Sequence, residues 1–200
     1  MALTVVDGLV LPVSLGGHPV LDFCNTRAAW AAPTPKEYLV SHVHLTVWVA
    51  HNGLLPRSAV AGLRRAATWA PADAAAVLDR AVAFRTALYP VLVGPARARD
   101  WSAVNAEVRR AAATLTLTRE KPSVLVPKAT GLELPLFAVV WSAAEFLTTP
   151  LSTTVSACPS ADCGWLFSDP RGRRRWCSMA LCGNRAKVRR HADRIRAAGS

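Results

Sequence analysis

Nowhere does the chain carry 18 apolar residues in a row, although 52% of it is hydrophobic and its mean hydropathy is +0.22. No segment is therefore expected to span a bilayer, which takes about 20 such residues. Acid–base groups are sparse: two tyrosines and five histidines. No G-x-S-x-G elbow, P-loop, G-x-G-x-x-G or H-E-x-x-H is present, so the common hydrolase, nucleotide and zinc-protease chemistries have no foothold and no enzyme is expected. Acidic residues are also few, 13 against 24 Lys and Arg, for a formal charge of +11. The opening MALTVVDGLVLPV lacks a basic n-region and a small-residue cleavage site, which leads us to expect a reducing cytoplasmic setting.

What is present is concentrated near the C-terminal end. Cys158 and Cys163 are separated by four residues, Cys177 and Cys182 by four, and the pairs by thirteen. Two such knuckles can deliver four thiolates to a tetrahedral Zn²⁺, whereas a reducing setting disfavours the alternative of two disulfides. Buried reduced cysteines packed as small hydrophobes are the other alternative. Four thiolates fill the tetrahedron, so one structural Zn²⁺ with no open position is expected. Cys24, in DFCNT, is expected to be a packed core thiol.

Residues 158–200 hold nine Arg and one Lys against three Asp, a formal +7, while residues 1–157 total +4. A Zn²⁺ with four thiolates amounts to −2, leaving this end at about +5. Charge of that density suits a polyanion; a merely solubilising tail is the alternative. Arg185, Lys187, Arg189 and Arg190 fall within two turns of a C-terminal helix. Together with Arg173, Arg174 and Arg175 they are candidates to contact duplex DNA, through phosphates or guanine edges. An RNA- or protein-binding zinc module is the competing reading. Trp165, Phe167 and Trp176 are expected to form the small core of this unit.

The stretch WLFSDPRGRRRWCSMALCGNRAKVRRH resembles the CGNR zinc finger: its hallmark stands as Cys182, Gly183, Asn184 and Arg185, preceded by Arg-Arg-Trp-Cys-Ser-Met from Arg174 to Met179. All four cysteines of that family have counterparts. Upstream, LDFCNT, AHNGLL, FRTAL, VNAEV and WSAAEFLTTP resemble segments of the ABATE domain, so the likeness covers nearly the whole chain. The resemblance implies a bacterial, stress-linked transcription regulator, cytoplasmic and associated with the nucleoid.

The fold class expected is α+β, mainly α. A helical domain over 1–156, with a small β-hairpin and an extended arm, precedes a treble-clef-like zinc finger over 157–200. Pro12, Gly16, Gly17 and Pro19 suggest extended chain over 9–26 around a Gly-Gly turn, as a strand pair or an extended arm. Helices are expected from Lys36 to the Asn52-Gly53 stop, then over 56–68, 71–93, 100–113 and 134–147, with a hairpin over 114–128. In the finger, a hairpin is expected over 164–176 and a helix from near Ser178. His42, His44 and His51 do not share one helix face, so no metal site is expected there.

Two polar residues interrupt apolar stripes: Arg85 among Leu78, Ala81, Val82, Leu88, Tyr89 and Leu92, and Asn105 among Trp101, Val104, Val108 and Ala111. A buried guanidinium needs a partner, and Asp22 is the nearest candidate in pattern. Asp22, Asn25, Arg85 and Asn105 are thus expected to form one polar cluster. It would be a structural network pinning the arm, a pocket for a small polar or anionic effector, or an active site. Because two-fold DNA sites call for two-fold proteins, a homodimer through the apolar N-terminal helices is also expected.

Overall fold

The computed structural model describes residues 2–127, 131–160 and 162–198. The chain opens with a hairpin, β1 (Leu3–Val6) and β2 (Leu9–Pro12), paired antiparallel around Asp7 and Gly8, both at positive φ as a tight hairpin turn requires. The extended arm expected over 9–26 ends early. Residues Pro19–Cys24 form helix α1: His18 caps it, its Nδ1 accepting from the Val20 N–H at 3.2 Å, and Pro19 sits in the first turn, where its missing N–H costs nothing. The proline that suggested extension is a helix start.

Residues 36–37 are likewise not helical. They form β4 (Lys36–Glu37), paired with β3 (Arg27–Ala28), and helix α2 (His42–His51) begins only after Ser41, whose Oγ accepts from the His44 N–H at 3.4 Å. Helices α3 (Ala59–Trp69), α4 (Pro71–Val93), α5 (Ala98–Ala112) and α6 (Leu134–Leu147) follow the expected spans closely. Between α5 and α6 lies the hairpin β5 (Leu115–Leu117) and β6 (Leu125–Pro127); Lys128, the expected end of that hairpin, lies outside the described residues.

Helix α6 is apolar nearly all round, so it takes the centre and is wrapped by α1, α2, α4 and α5. Leu136, Val139, Val140 and Ala143 are fully buried there, against Phe23, Trp48, Phe84 and Leu88.

The C-terminal region is built differently from the hairpin expected over 164–176. Strand β7 (Val155–Ala157) pairs with β8 (Leu166–Ser168), so the first cysteine pair lies in the loop that closes this hairpin. Residues 169–176 form a turn instead: the Arg174 N–H donates to Asp169 Oδ2 at 2.6 Å and the Gly172 N–H to the Asp169 carbonyl at 3.0 Å. A helix starts next to Ser178, as expected: Ser178 is the N-cap of a π-helical turn, Met179–Gly183, which runs directly into helix α7 (Asn184–Ala198).

Residue 156 sits in the middle of β7, and the finger is seated on the helical domain. Leu166 belongs to the main core, while Ala28 and Tyr38 pack with Trp165, Phe167 and the four cysteines in a second cluster. Hydrogen bonds to backbone groups tie the seam at several points. The Ala29 N–H donates to the Cys163 carbonyl at 2.9 Å and the Ser168 N–H to the Gly16 carbonyl at 2.9 Å. Trp165 Nε1 donates to the Arg27 carbonyl at 3.1 Å, and Tyr89 Oη to the Gly164 carbonyl at 2.7 Å. Asn25 supplies a further tie, to Leu166. Gly164 is required here: φ is +68°, and a Cβ would stand 3.0 Å from that of Trp30.

Candidate metal centre and nucleic-acid interface

Cys158 follows β7 directly, and its N–H donates to the Trp165 carbonyl at 2.8 Å; the Cys163 N–H donates to the Ser160 carbonyl at 2.9 Å, which closes the knuckle. Cys177 follows the Asp169 turn and Cys182 sits in the π-helical turn. The four sulphurs, all on buried residues, lie within 4.8 Å of one another, with Cys163–Cys177 and Cys177–Cys182 at 3.6 Å. A zinc tetrahedron with bonds of about 2.3 Å has S–S edges of about 3.8 Å, so the donor set fits the ion in kind, number and spacing. Hydrogen bonding to Cys158, reinforced by burial, holds the Cys163 thiol up at about 12, and hydrogen bonds to Cys158 and Cys163 raise Cys177 as well. Thiols so placed ionise together only when a cation offsets their charge.

Cys158, Cys163, Cys177 and Cys182 are thus the ligands of one structural Zn²⁺. Among the described residues no other group of three or more His, Cys, Asp or Glu could hold a metal, and Cys24 stays apart as a buried core thiol. Two residues of the hallmark serve this centre. Arg185 Nη2 donates to Cys182 Sγ at 3.1 Å, the outer contact that orients a metal ligand. Gly183 leaves room for Met179, whose Sδ a Cβ would meet at 2.7 Å.

From this centre α7 projects with nearly every side chain in solvent; of residues 184–197 only Ala186 and Ala192 are half-buried. Arg185, Arg189 and Arg190 line a cleft of about 300 Å³ with Arg175, Trp176, Pro159 and Ser160. Arg175 lies over the Trp176 ring at 5.3 Å, and Arg189 meets exposed Asp162 at 3.6 Å. Arg173 and Lys187 are exposed. Arg174 is engaged otherwise. Its guanidinium donates to the carbonyls of Cys177 (2.6 Å), Leu15 (3.2 Å) and Ser168 (3.3 Å) and lies 4.5 Å from the Phe167 ring centre, which makes it a brace between finger and arm.

The expected polar cluster is not one cluster. Arg85, 0% exposed, is met by Glu37 and not by Asp22: Nη1 donates to Glu37 Oε1 at 2.8 Å and to Thr26 Oγ1 at 2.7 Å, and Nη2 pairs with Glu37 Oε2. Asp22 Oδ1 instead accepts from the Leu15 and Gly16 N–H groups, each at 2.8 Å, and from Asn25 Nδ2 at 3.5 Å. Burial raises the Asp22 pKa against those donors. Asn105 is exposed on α5, where Glu107 takes the buried position instead. The residue missed was Glu37, the only acid between Asp22 and Asp73, which is the signal that could have found it. A second ion network also went unseen: Arg80 forks onto Glu107 (3.2 and 2.8 Å) and reaches Glu133, and Arg110 meets Glu107 at 2.6 Å.

No helix of the described residues is long and apolar enough to cross a membrane. Residues 155–195 match the family model of the CGNR zinc finger, and residues 17–150 match the ABATE model, described as "Putative stress-induced transcription regulator". Neither description names an enzyme activity. No curated protein matches the chain. With the ABATE match spanning two-thirds of its length and the zinc centre in the matched finger, the chain belongs to the ABATE family, whose description is the one just quoted, and carries a CGNR zinc finger.

Proposed function

We propose that this chain regulates transcription by holding duplex DNA with its zinc finger, in the cytoplasm and on the nucleoid. The observation that carries this reading is the placement of the surplus charge. Six cations, Arg185, Lys187, Arg189, Arg190, Arg194 and Arg196, stand exposed on one helix, and the π-helical turn that leads into it is fastened to the zinc centre through Cys182. Zinc thus acts as a staple: it fixes where α7 leaves the body, and Arg185 ties the helix to the ligand sulphur. The cations then reach phosphates and release their counterions, which makes affinity fall steeply with salt. Arg173 and Arg175 extend the basic surface along the adjoining turn.

The helical domain is the regulatory part of this proposal. Arg85 has its charge met by Glu37 and is closed to solvent, which supports the structural-network reading of that region over an effector site. A homodimer formed through the helical domain is part of the same reading, and a monomer in sedimentation at micromolar concentration would remove it.

The test is equilibrium binding of the zinc-loaded chain to labelled duplex DNA at several salt concentrations, beside single-stranded RNA of equal length. Duplex preference is expected, with a salt slope reduced by about one for each of Arg189→Ala and Arg190→Ala. Preference for RNA, or no duplex binding, overturns the reading.

A further inference from the structure

Helix α7 carries a second pattern that its cations do not explain. Asn184, Val188, His191 and Ile195 recur at steps of four, three and four residues, so they share one stripe. Val188 is 69% and Ile195 60% exposed. The cleft against the first knuckle takes Arg185, Ala186, Arg189, Arg190 and Asp193 from α7, which places the stripe on the side turned away from that knuckle; its first members, Asn184 and Val188, share an open hollow with Ala180 and Leu181 of the π-helical turn. Lys187 and Arg194 flank it on one side, Arg185 and Arg196 on the other.

An apolar ridge between two cationic rows selects its partner by charge. A second copy would set like charges face to face, and a ridge two aliphatic side chains long is too narrow for a membrane surface. Duplex DNA offers phosphates to both rows at once. A helix about 10–12 Å across with its side chains fits a major groove about 12 Å wide. Within that groove thymine presents a methyl group, the base-edge feature that aliphatic side chains recognise.

We propose that this ridge enters the major groove and that Val188 and Ile195 are specificity-determining residues that read thymine methyl groups. Seven residues of helix rise about 10 Å, so the two thymines lie about three base pairs apart. The inference rests on the duplex reading above.

Its test uses the zinc-loaded chain and duplexes selected from a random pool, compared with the same duplexes carrying deoxyuridine in place of every thymine. Each lost methyl contact is expected to weaken binding about fourfold. In Val188→Ala and Ile195→Ala chains, whose altered side chains lie in solvent and outside the core, the penalty for uracil at the matching thymine is expected to vanish while the salt slope stays. Salt-dependent duplex binding without a uracil penalty, or with a penalty that both variants retain, overturns this inference and leaves the duplex reading standing. A dimer in sedimentation that Val188→Ala abolishes overturns it too, since the ridge would then be covered by a second copy. Absence of any duplex binding overturns the underlying function instead.

Discussion

Asn25 completes the finger's hairpin as a neighbouring strand would: its Oδ1 accepts from the Leu166 N–H at 2.7 Å and its Nδ2 donates to the Leu166 carbonyl at 2.9 Å. Both sides of this pair are buried and stand 141 residues apart in the chain. Asn25→Ala would leave two buried backbone groups without partners, each costing about 1–3 kcal/mol. Asn25→Asp keeps the acceptor but turns a carboxylate oxygen toward the Leu166 carbonyl, so it is expected to fall short of wild type as well. Urea unfolding of the zinc-loaded proteins measures both losses.

Zinc removal is expected to travel across the same seam. Chelation should release residues 158–198 and, with them, the protection of the Ala29 amide, which donates to Cys163. Amides of α6 around Val139 and Val140, at the centre of the main core, should keep theirs. Hydrogen exchange with and without chelator reads the difference. Equal loss of protection in α6 would dispose of the division into a helical domain over 1–156 and a finger over 157–200.

Arg85 depends on Glu37. Glu37→Ala would leave a guanidinium buried and unpaired, at a cost of about 3–5 kcal/mol. Replacing both partners, as Glu37→Leu with Arg85→Met, should recover most of that loss, because apolar groups of similar size need no partner there. Denaturation midpoints of the single and double variants decide it. A double variant no better than Glu37→Ala would mean that Arg85 holds more than Glu37 and Thr26.

The fifth cysteine should stand apart from the zinc ligands in its chemistry. Burial pushes the Cys24 thiol up to about 12, so at pH 8 it is neutral as well as enclosed. Alkylation followed by mass is expected to find no fast-reacting thiol in the zinc-loaded chain and four after chelation, with Cys24 modified only on unfolding. Cys24→Ala should still bind one zinc per chain.

Asp22 predicts a pH dependence of definite sign. Its folded pKa is raised, chiefly by burial, above the ordinary 3.8. The folded state therefore holds the Asp22 proton more tightly than the unfolded state, and stability from this group falls as pH rises from about 4 through the folded pKa. The unfolding free energy of wild type minus that of Asp22→Asn should decline across that window. A difference that climbs instead would show that the Leu15 and Gly16 donors outweigh burial.

How much of this was legible in advance differs by residue. The spacing of Cys158, Cys163, Cys177 and Cys182 announced a zinc site because metal ligation is local: two short loops each place two sulphurs. The spans of α4 and α6 were legible for the same reason, since helical periodicity and a proline in the first turn act within a few residues. Pro19 and the stretch after Lys36 carry a local signal that has two outcomes. Proline both breaks helices and begins them, and 36–37 pair with 27–28 only because the chain folds back.

The partners of buried polar groups were beyond local signals altogether. Arg85 was seen to need an acid, yet Asp22 and Glu37 were equally eligible until the fold set one carboxylate on the guanidinium and gave the other two backbone N–H groups. The metal, the charge and most helices can be read from residue order, because ligand spacing, composition and the 3.6-residue period are properties of neighbours along the chain. The seating of the finger on the helical domain and the bracing role of Arg174 emerge from the folded chain alone. So does the exposure of most of α7, because these outcomes depend on which distant groups are left needing a partner once the core has closed.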